Sequence, residues 1–64
     1  MKVKYVGPDY VTFRKDKVYE VLAIEKGYYR LMSEISESYL LPPSVCETVE
    51  GSEADVPTGK YEGP

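Results

Sequence analysis

Apolar side chains recur at every second position along this chain, in short runs broken by turn residues. Val3 and Tyr5 alternate with Lys2 and Lys4, which predicts a first strand. Gly7-Pro8-Asp9 ends it as a turn. Val11 and Phe13 alternate with Thr12 and Arg14, and Lys15-Asp16-Lys17 is a polar turn. Val18 to Glu25 is the longest apolar run and reads as the central strand. Its inward set is Tyr19, Val21 and Ala23, with Leu22 and Ile24 covering the second face. Glu25-Lys26-Gly27 reads as a tight hairpin, because Gly27 takes positive φ without a Cβ clash. Tyr28 to Met32 follows as a strand, Ser33 to Glu37 as a turn, and Tyr39 to Leu41 as the fourth strand. Pro42-Pro43 cannot donate to a ladder, so pairing stops there. Ser44 falls in one turn of 3₁₀ helix, and Val45 to Val49 is the last strand. No apolar period of 3.6 residues runs beyond about two turns, so no α-helix is predicted.

Short strands joined by short turns predict an all-β fold, a small five-stranded barrel whose closure removes exposed edges. Its expected core is Val3, Val11, Phe13, Tyr19, Val21, Leu31, Leu41 and Cys46. The composition changes near residue 50. Val56 and Tyr61 are the only large apolar residues after Gly51, too few to offset the ordering entropy of that stretch. The expectation is one barrel over residues 1–49 and a disordered acidic tail over residues 50–64.

Charge sharpens this division. Residues 1–49 hold seven Lys and Arg against seven Asp and Glu, so the net charge of −3 lies wholly in residues 50–64. The folded part therefore has no bulk field to attract phosphates or to imitate them. A chain of 64 residues allows one domain, and such a domain buries only about 60% of its unfolded surface. One Cys and no His exclude an internal disulfide and a zinc site, so folding rests on packing alone. The lone thiol of Cys46 fits a reducing compartment, which makes a cytoplasmic location the expectation. Met1 to Val6 has no continuous apolar core of the signal-peptide kind. No apolar run approaches the roughly 20 residues of a membrane span.

Three segments carry a resemblance to a known family. Val11-Thr12-Phe13-Arg14-Lys15-Asp16-Lys17-Val18-Tyr19-Glu20-Val21-Leu22 resembles the diverging turn and second strand of Src-homology-3 domains. Gly27-Tyr28-Tyr29-Arg30 is similar to that family's loop, paired tryptophans and basic residue, with Tyr in place of both tryptophans. Leu41-Pro42-Pro43-Ser44-Val45-Cys46 is similar to its strand, proline, 3₁₀ turn and final strand. The short form also resembles small stand-alone SH3-like barrel proteins of Gram-positive bacteria and their phages. The resemblance implies an SH3-like barrel with a binding role, its proline-rich-peptide groove carried over at Tyr5, Tyr28 and Pro42. The family's acidic first loop is reduced here to Gly7-Pro8-Asp9-Tyr10, and Val45 stands where the family has a groove-lining Tyr.

The candidate site is an aromatic groove of Tyr5, Tyr10, Tyr28, Tyr39 and Pro42 for a protein or peptide partner. Such grooves suit proline-rich segments, whose preformed helix loses little entropy on docking. Against it stands the plainer role of Tyr as bulk filler in a chain without Trp. Cys46 has no base beside it to make a nucleophile and reads as a small core residue. Glu34, Glu37 and Glu47 read as solvated charge, and no Gly-rich phosphate loop is present. A second reading is a nucleic-acid face of Lys2, Lys4, Arg14, Lys15 and Lys17, which Asp16 interrupts. A third is a phage-type inhibitor whose acidic tail, with Glu50, Glu53, Asp55 and Glu62, covers a basic surface on a host protein. The expectation drawn from all of these is a non-enzymatic protein-interaction module without cofactor or metal, a monomer or weak homo-oligomer.

Overall fold

The computed structural model describes residues 1–59. In chain order these form β1 (Lys2–Tyr5), β2 (Val18–Glu25), β3 (Tyr28–Met32), β4 (Ser38–Leu41), a 3₁₀ turn at Pro43–Val45, β5 (Cys46–Glu50) and a second 3₁₀ turn at Glu53–Asp55. The protein is all-β, with a single antiparallel sheet in the order β4-β3-β2-β1-β5. β4 and β5 are the two edges and no ladder joins them, so the sheet does not close on itself as a barrel would.

β2 serves two neighbours in turn. Its first half pairs with β1, from Lys4 opposite Val18 to Lys2 opposite Glu20. Its second half pairs with β3, with an irregularity between Val21 and Ala23. A bulge of this kind resets the alternation, and both Ala23 and Ile24 are buried. The β2–β3 hairpin turns on Lys26 (φ 51°) and Gly27 (φ 81°), two positive φ values that match the strand twist. β3 and β4 are joined by a turn closed on Ser33. Its N–H donates to the Glu37 carbonyl at 2.9 Å, and its Oγ accepts the N–H groups of Ile35 and Glu37, each at 3.3 Å.

The core gathers Val3, Tyr5, Phe13, Tyr19, Val21, Ile24, Tyr29, Leu31 and Val56, with Met1, Leu41, Val45 and Cys46 packed against it. Phe13 is its aromatic centre. Tyr19 meets it edge-on at 5.0 Å between ring centroids, Tyr5 lies at 5.7 Å and Tyr39 at 6.1 Å. Offset and edge-on pairs of this kind add to the stabilisation from buried area.

Two expectations need correction. Val11 to Phe13 is no strand, and Val11 is 81% exposed rather than in the core. The chain turns back there: Tyr10 N–H donates to the Phe13 carbonyl at 2.7 Å. The loop from Val6 to Lys17 is tied down by Asp16 N–H on the Tyr5 carbonyl at 2.7 Å, Lys15 N–H on Asp9 Oδ1 at 2.5 Å and Arg14 N–H on the Tyr19 hydroxyl at 2.8 Å. Together with Glu34 N–H on the Thr12 carbonyl at 2.9 Å, these bonds hold the loop outside the ladders.

The second correction concerns the expected disorder after residue 50. Residues 51–59 lie against the sheet, and Val56 is 8% exposed. The Tyr29 hydroxyl donates to Glu53 Oε2 at 2.6 Å. Thr58 bridges Ile24 in parallel: Ile24 N–H donates to the Pro57 carbonyl at 3.0 Å, and Gly59 N–H to the Ile24 carbonyl at 2.8 Å. The cause is in β2. Its pairing with β1 stops at Glu20, so its second half has an open edge whose buried polar groups need partners. The expected disorder of residues 60–64 lies outside the described residues.

Candidate interaction surface

The register of β3 and β4 sorts their side chains onto two faces. Tyr29 opposite Leu41 and Leu31 opposite Tyr39 face the core side. Arg30 opposite Leu40 and Met32 opposite Ser38 take the outward face. Tyr28 shares that face by alternation, and it is 48% exposed, Leu40 42% and Met32 37%. Arg30 lies among them. Its Nε pairs with Glu25 Oε2, its Nη2 donates to Glu25 Oε1 at 3.3 Å and its Nη1 donates to Ser38 Oγ at 3.1 Å. This fork holds β2, β3 and β4 together and fixes a flat polar strip beside the apolar side chains. Next to it lies a depression of about 620 Å³, lined by Glu25, Lys26, Tyr28, Leu40 and Gly59. Its volume and mixed lining suit a side chain or short segment of a ligand.

The five expected groove residues do not share this surface. Tyr5 is 1% exposed, its hydroxyl donates to the Pro8 carbonyl at 2.7 Å, and burial pushes its phenol above the ordinary pKa. It packs so closely under the chain that a Cβ at Gly7 would lie 2.6 Å from the Tyr5 hydroxyl oxygen, which is why position 7 is glycine. Tyr10 is exposed on the loop. Tyr39 takes the opposite face from Tyr28 and packs edge-on against Phe13. Pro42 is half-buried and follows Leu41, so continuing the β3–β4 register sets it across from Tyr28. Pro42 thus falls just past the end of the ladder on the side of Tyr28, while Tyr5, Tyr10 and Tyr39 lie elsewhere. Leu40, Met32 and the Glu25–Arg30 fork were missed. The parity of the β3–β4 pairing was the signal that separates Leu40 from Tyr39.

No protein-family model, no curated protein and no solved structure matches this chain. Its chemistry must be judged from the side chains themselves.

The remaining polar clusters act as ties. Glu34 Oε2 accepts the Tyr19 hydroxyl at 2.6 Å, and its other oxygen accepts Lys17 Nζ at 3.0 Å. The Tyr19 bond, then the Lys17 bond, hold the Glu34 carboxyl below the ordinary carboxylate range. Burial, then the bond to Glu34, push the Tyr19 phenol upward. A carboxylate so held favours its charged form and is a poor general acid. Cys46 is half-buried, and burial pushes its thiol pKa up, away from reactivity. Lys4 lies 3.8 Å from Glu47 and Lys17 2.9 Å from Glu34, so two of the expected nucleic-acid-binding cations sit beside carboxylates. Among the described residues no group of three or more His, Cys, Asp or Glu could hold a metal ion, and no helix is long and apolar enough to cross a membrane.

Proposed function

We propose that this chain is a non-enzymatic protein-interaction module that takes an extended segment of a partner protein on the outward face of β3 and β4. The observation that carries this is the cluster of Tyr28, Met32 and Leu40, exposed on one face, with Tyr28 and Leu40 lining a depression that the ion-paired Glu25 also lines. Aromatic and aliphatic anchors next to a fixed polar strip are what a partner segment uses for affinity and orientation. We read the fold behind it as SH3-like in an open form, with the sheet unpaired between β4 and β5. The central strand β2 shared by two ladders and the 3₁₀ turn at Pro43–Val45 leading into β5 support it. The half-buried thiol of Cys46 fits a reducing cytoplasm.

The test is amide NMR of the labelled protein with a pool of extended, proline-rich and apolar peptides. Shifts are expected at Glu25, Tyr28 and Leu40. The double variant Tyr28→Ala with Leu40→Ala is expected to keep the dispersed spectrum and lose at least about tenfold in affinity. Peptide binding that ignores this double change would place the site elsewhere.

A further inference from the structure

The two edges of the sheet are guarded differently. β5 carries Glu47 and Glu50, and charge on an edge is a common guard against pairing with another chain. β4 reads Ser38-Tyr39-Leu40-Leu41 and has no charge at all. Its outward backbone groups follow from the pairing. Lys26-Gly27 is a two-residue turn, so Glu25 and Tyr28 exchange the closing hydrogen bonds of the β2–β3 hairpin. Strand alternation then turns the backbone groups of Tyr29 and Leu31 toward β4. The Ser33 N–H on the Glu37 carbonyl gives the same phase from the other end. Tyr39 and Leu41 therefore bond to β3, and the N–H and C=O of Ser38 and Leu40 point away from the sheet. Among the described residues no backbone hydrogen bond reaches Ser38 or Leu40 from any element other than β3.

The geometry points to a second copy of this chain as the occupant of that edge, joined by antiparallel pairing of β4 with β4. A two-fold axis normal to the sheet keeps each side chain on its own face, so only registers that match like faces are allowed. Centring the axis on Tyr39 sets Leu40 of one copy against Ser38 of the other. Every outward N–H and C=O of these residues then finds a partner. It also makes the two Tyr39 rings a close non-hydrogen-bonded pair, an arrangement that favours aromatic contact. Centring it on Leu40 instead would need an N–H from Pro42, which has none, and the Pro42 carbonyl already accepts Val45 N–H at 3.1 Å. The absence of charge from β4 removes the like-charge clash that meets identical strands elsewhere. Pro42 and Pro43 end the pairing on one side, and the Ser33–Glu37 turn ends it on the other. A contact of one short strand per copy buries little area, so the association is weak and concentration-dependent.

Sedimentation velocity up to millimolar chain concentration tests this. The wild-type chain is expected to pass from monomer to dimer. Leu40→Pro removes, of the backbone groups, only an outward N–H, which an edge strand tolerates, and is expected to raise the midpoint concentration by about tenfold or more, whereas Leu40→Ala, which keeps that N–H, is expected to leave it unchanged. Tyr39→Lys sets two cations across the axis and is expected to do the same; it decides the matter if Leu40→Pro does not fold. Tyr28→Ala leaves the edge intact and is expected to leave the midpoint unchanged, which separates this contact from the outward-face site. In a Cys46→Ser background, Tyr39→Cys is expected to form a disulfide-linked dimer under mild oxidation, faster than Met32→Cys on the neighbouring strand. A monomer at every concentration, a midpoint indifferent to both edge variants, or equal cross-linking at the two positions would overturn the proposal.

Discussion

The loop from Val6 to Lys17 and the segment from Gly51 to Gly59 both lie against the sheet without forming a strand in it, and they are held in opposite ways. The loop reaches into the centre: Phe13 is 2% exposed and meets Tyr5, Tyr19 and Tyr39. The segment rests on the rim, with Val56 as its single buried side chain, one tyrosine hydroxyl on Glu53 and the backbone of Ile24. The loop is thus part of the core, and the segment is a cover over an edge. What attaches a stretch of chain is one well-placed anchor with backbone partners waiting for it; average composition is a poor guide.

Breaking the loop should have the largest effect. Phe13→Ala removes the shared ring of the aromatic centre and is expected to cost about 3–5 kcal/mol, comparable to the whole stability of a domain this small. Chemical denaturation followed by circular dichroism measures it, and an unchanged midpoint would take Phe13 out of the core. Loosening the segment should cost less. Val56→Ala removes two buried carbons, about 1.5 kcal/mol. Its mark is local: amide exchange is expected to quicken at Ile24 and Gly59 more than at Leu31. Uniform acceleration would mean that the segment belongs to the global core after all.

The smallest effect sharpens the comparison by pH. The bond to Glu53, then burial, raise the Tyr29 phenol to about 12, against about 10 for an ordinary tyrosine. A raised pKa means that the native state holds the proton more tightly than the unfolded chain does. The contribution is therefore complete below about pH 10 and is lost as the pH climbs through about 12. Glu53→Gln should bring the Tyr29 titration down toward the ordinary value, read as phenolate absorbance, with a cost near 1 kcal/mol at neutral pH. A Tyr29 titration unmoved by this change would detach Glu53 from the sheet.

The same contrast explains what could be read in advance. β2 and β3 begin and end where alternation places them, because both are long enough to show a period and Gly27 punctuates them. Pro42 and Pro43 mark the end of β4 for a purely local reason, the missing N–H. Val11 and Phe13 misled because two apolar residues spaced by one fit a strand and a tight turn equally well. The turn is marked by the hydrogen bond from Tyr10 N–H to the Phe13 carbonyl, together with the ties of Arg14, Lys15 and Asp16. Val56 was invisible as an anchor, since its partner is an opening in β2 beyond Glu20, where β1 begins at Lys2, far from Val56 in the chain. Tyr5 was assigned to a groove by resemblance although its alternation with Lys4 put it beside Val3, on the buried side. Separating Tyr28 from Tyr39 required the length of the Ser33–Glu37 turn, which sets the pairing register.

The position of β1 between β2 and β5 puts the fold in an order of time. During synthesis β2, β3 and β4 can assemble as a run of neighbours as soon as Leu41 is made. β1 precedes the other strands, yet one of its sides waits for a partner more than forty residues later in the chain, where Lys2 meets Glu50. All-β domains with such distant pairings fold in roughly milliseconds to seconds, and here the last step closes over the first strand. Until residues 46–50 emerge, the side of β1 that awaits β5 is open to any chain nearby.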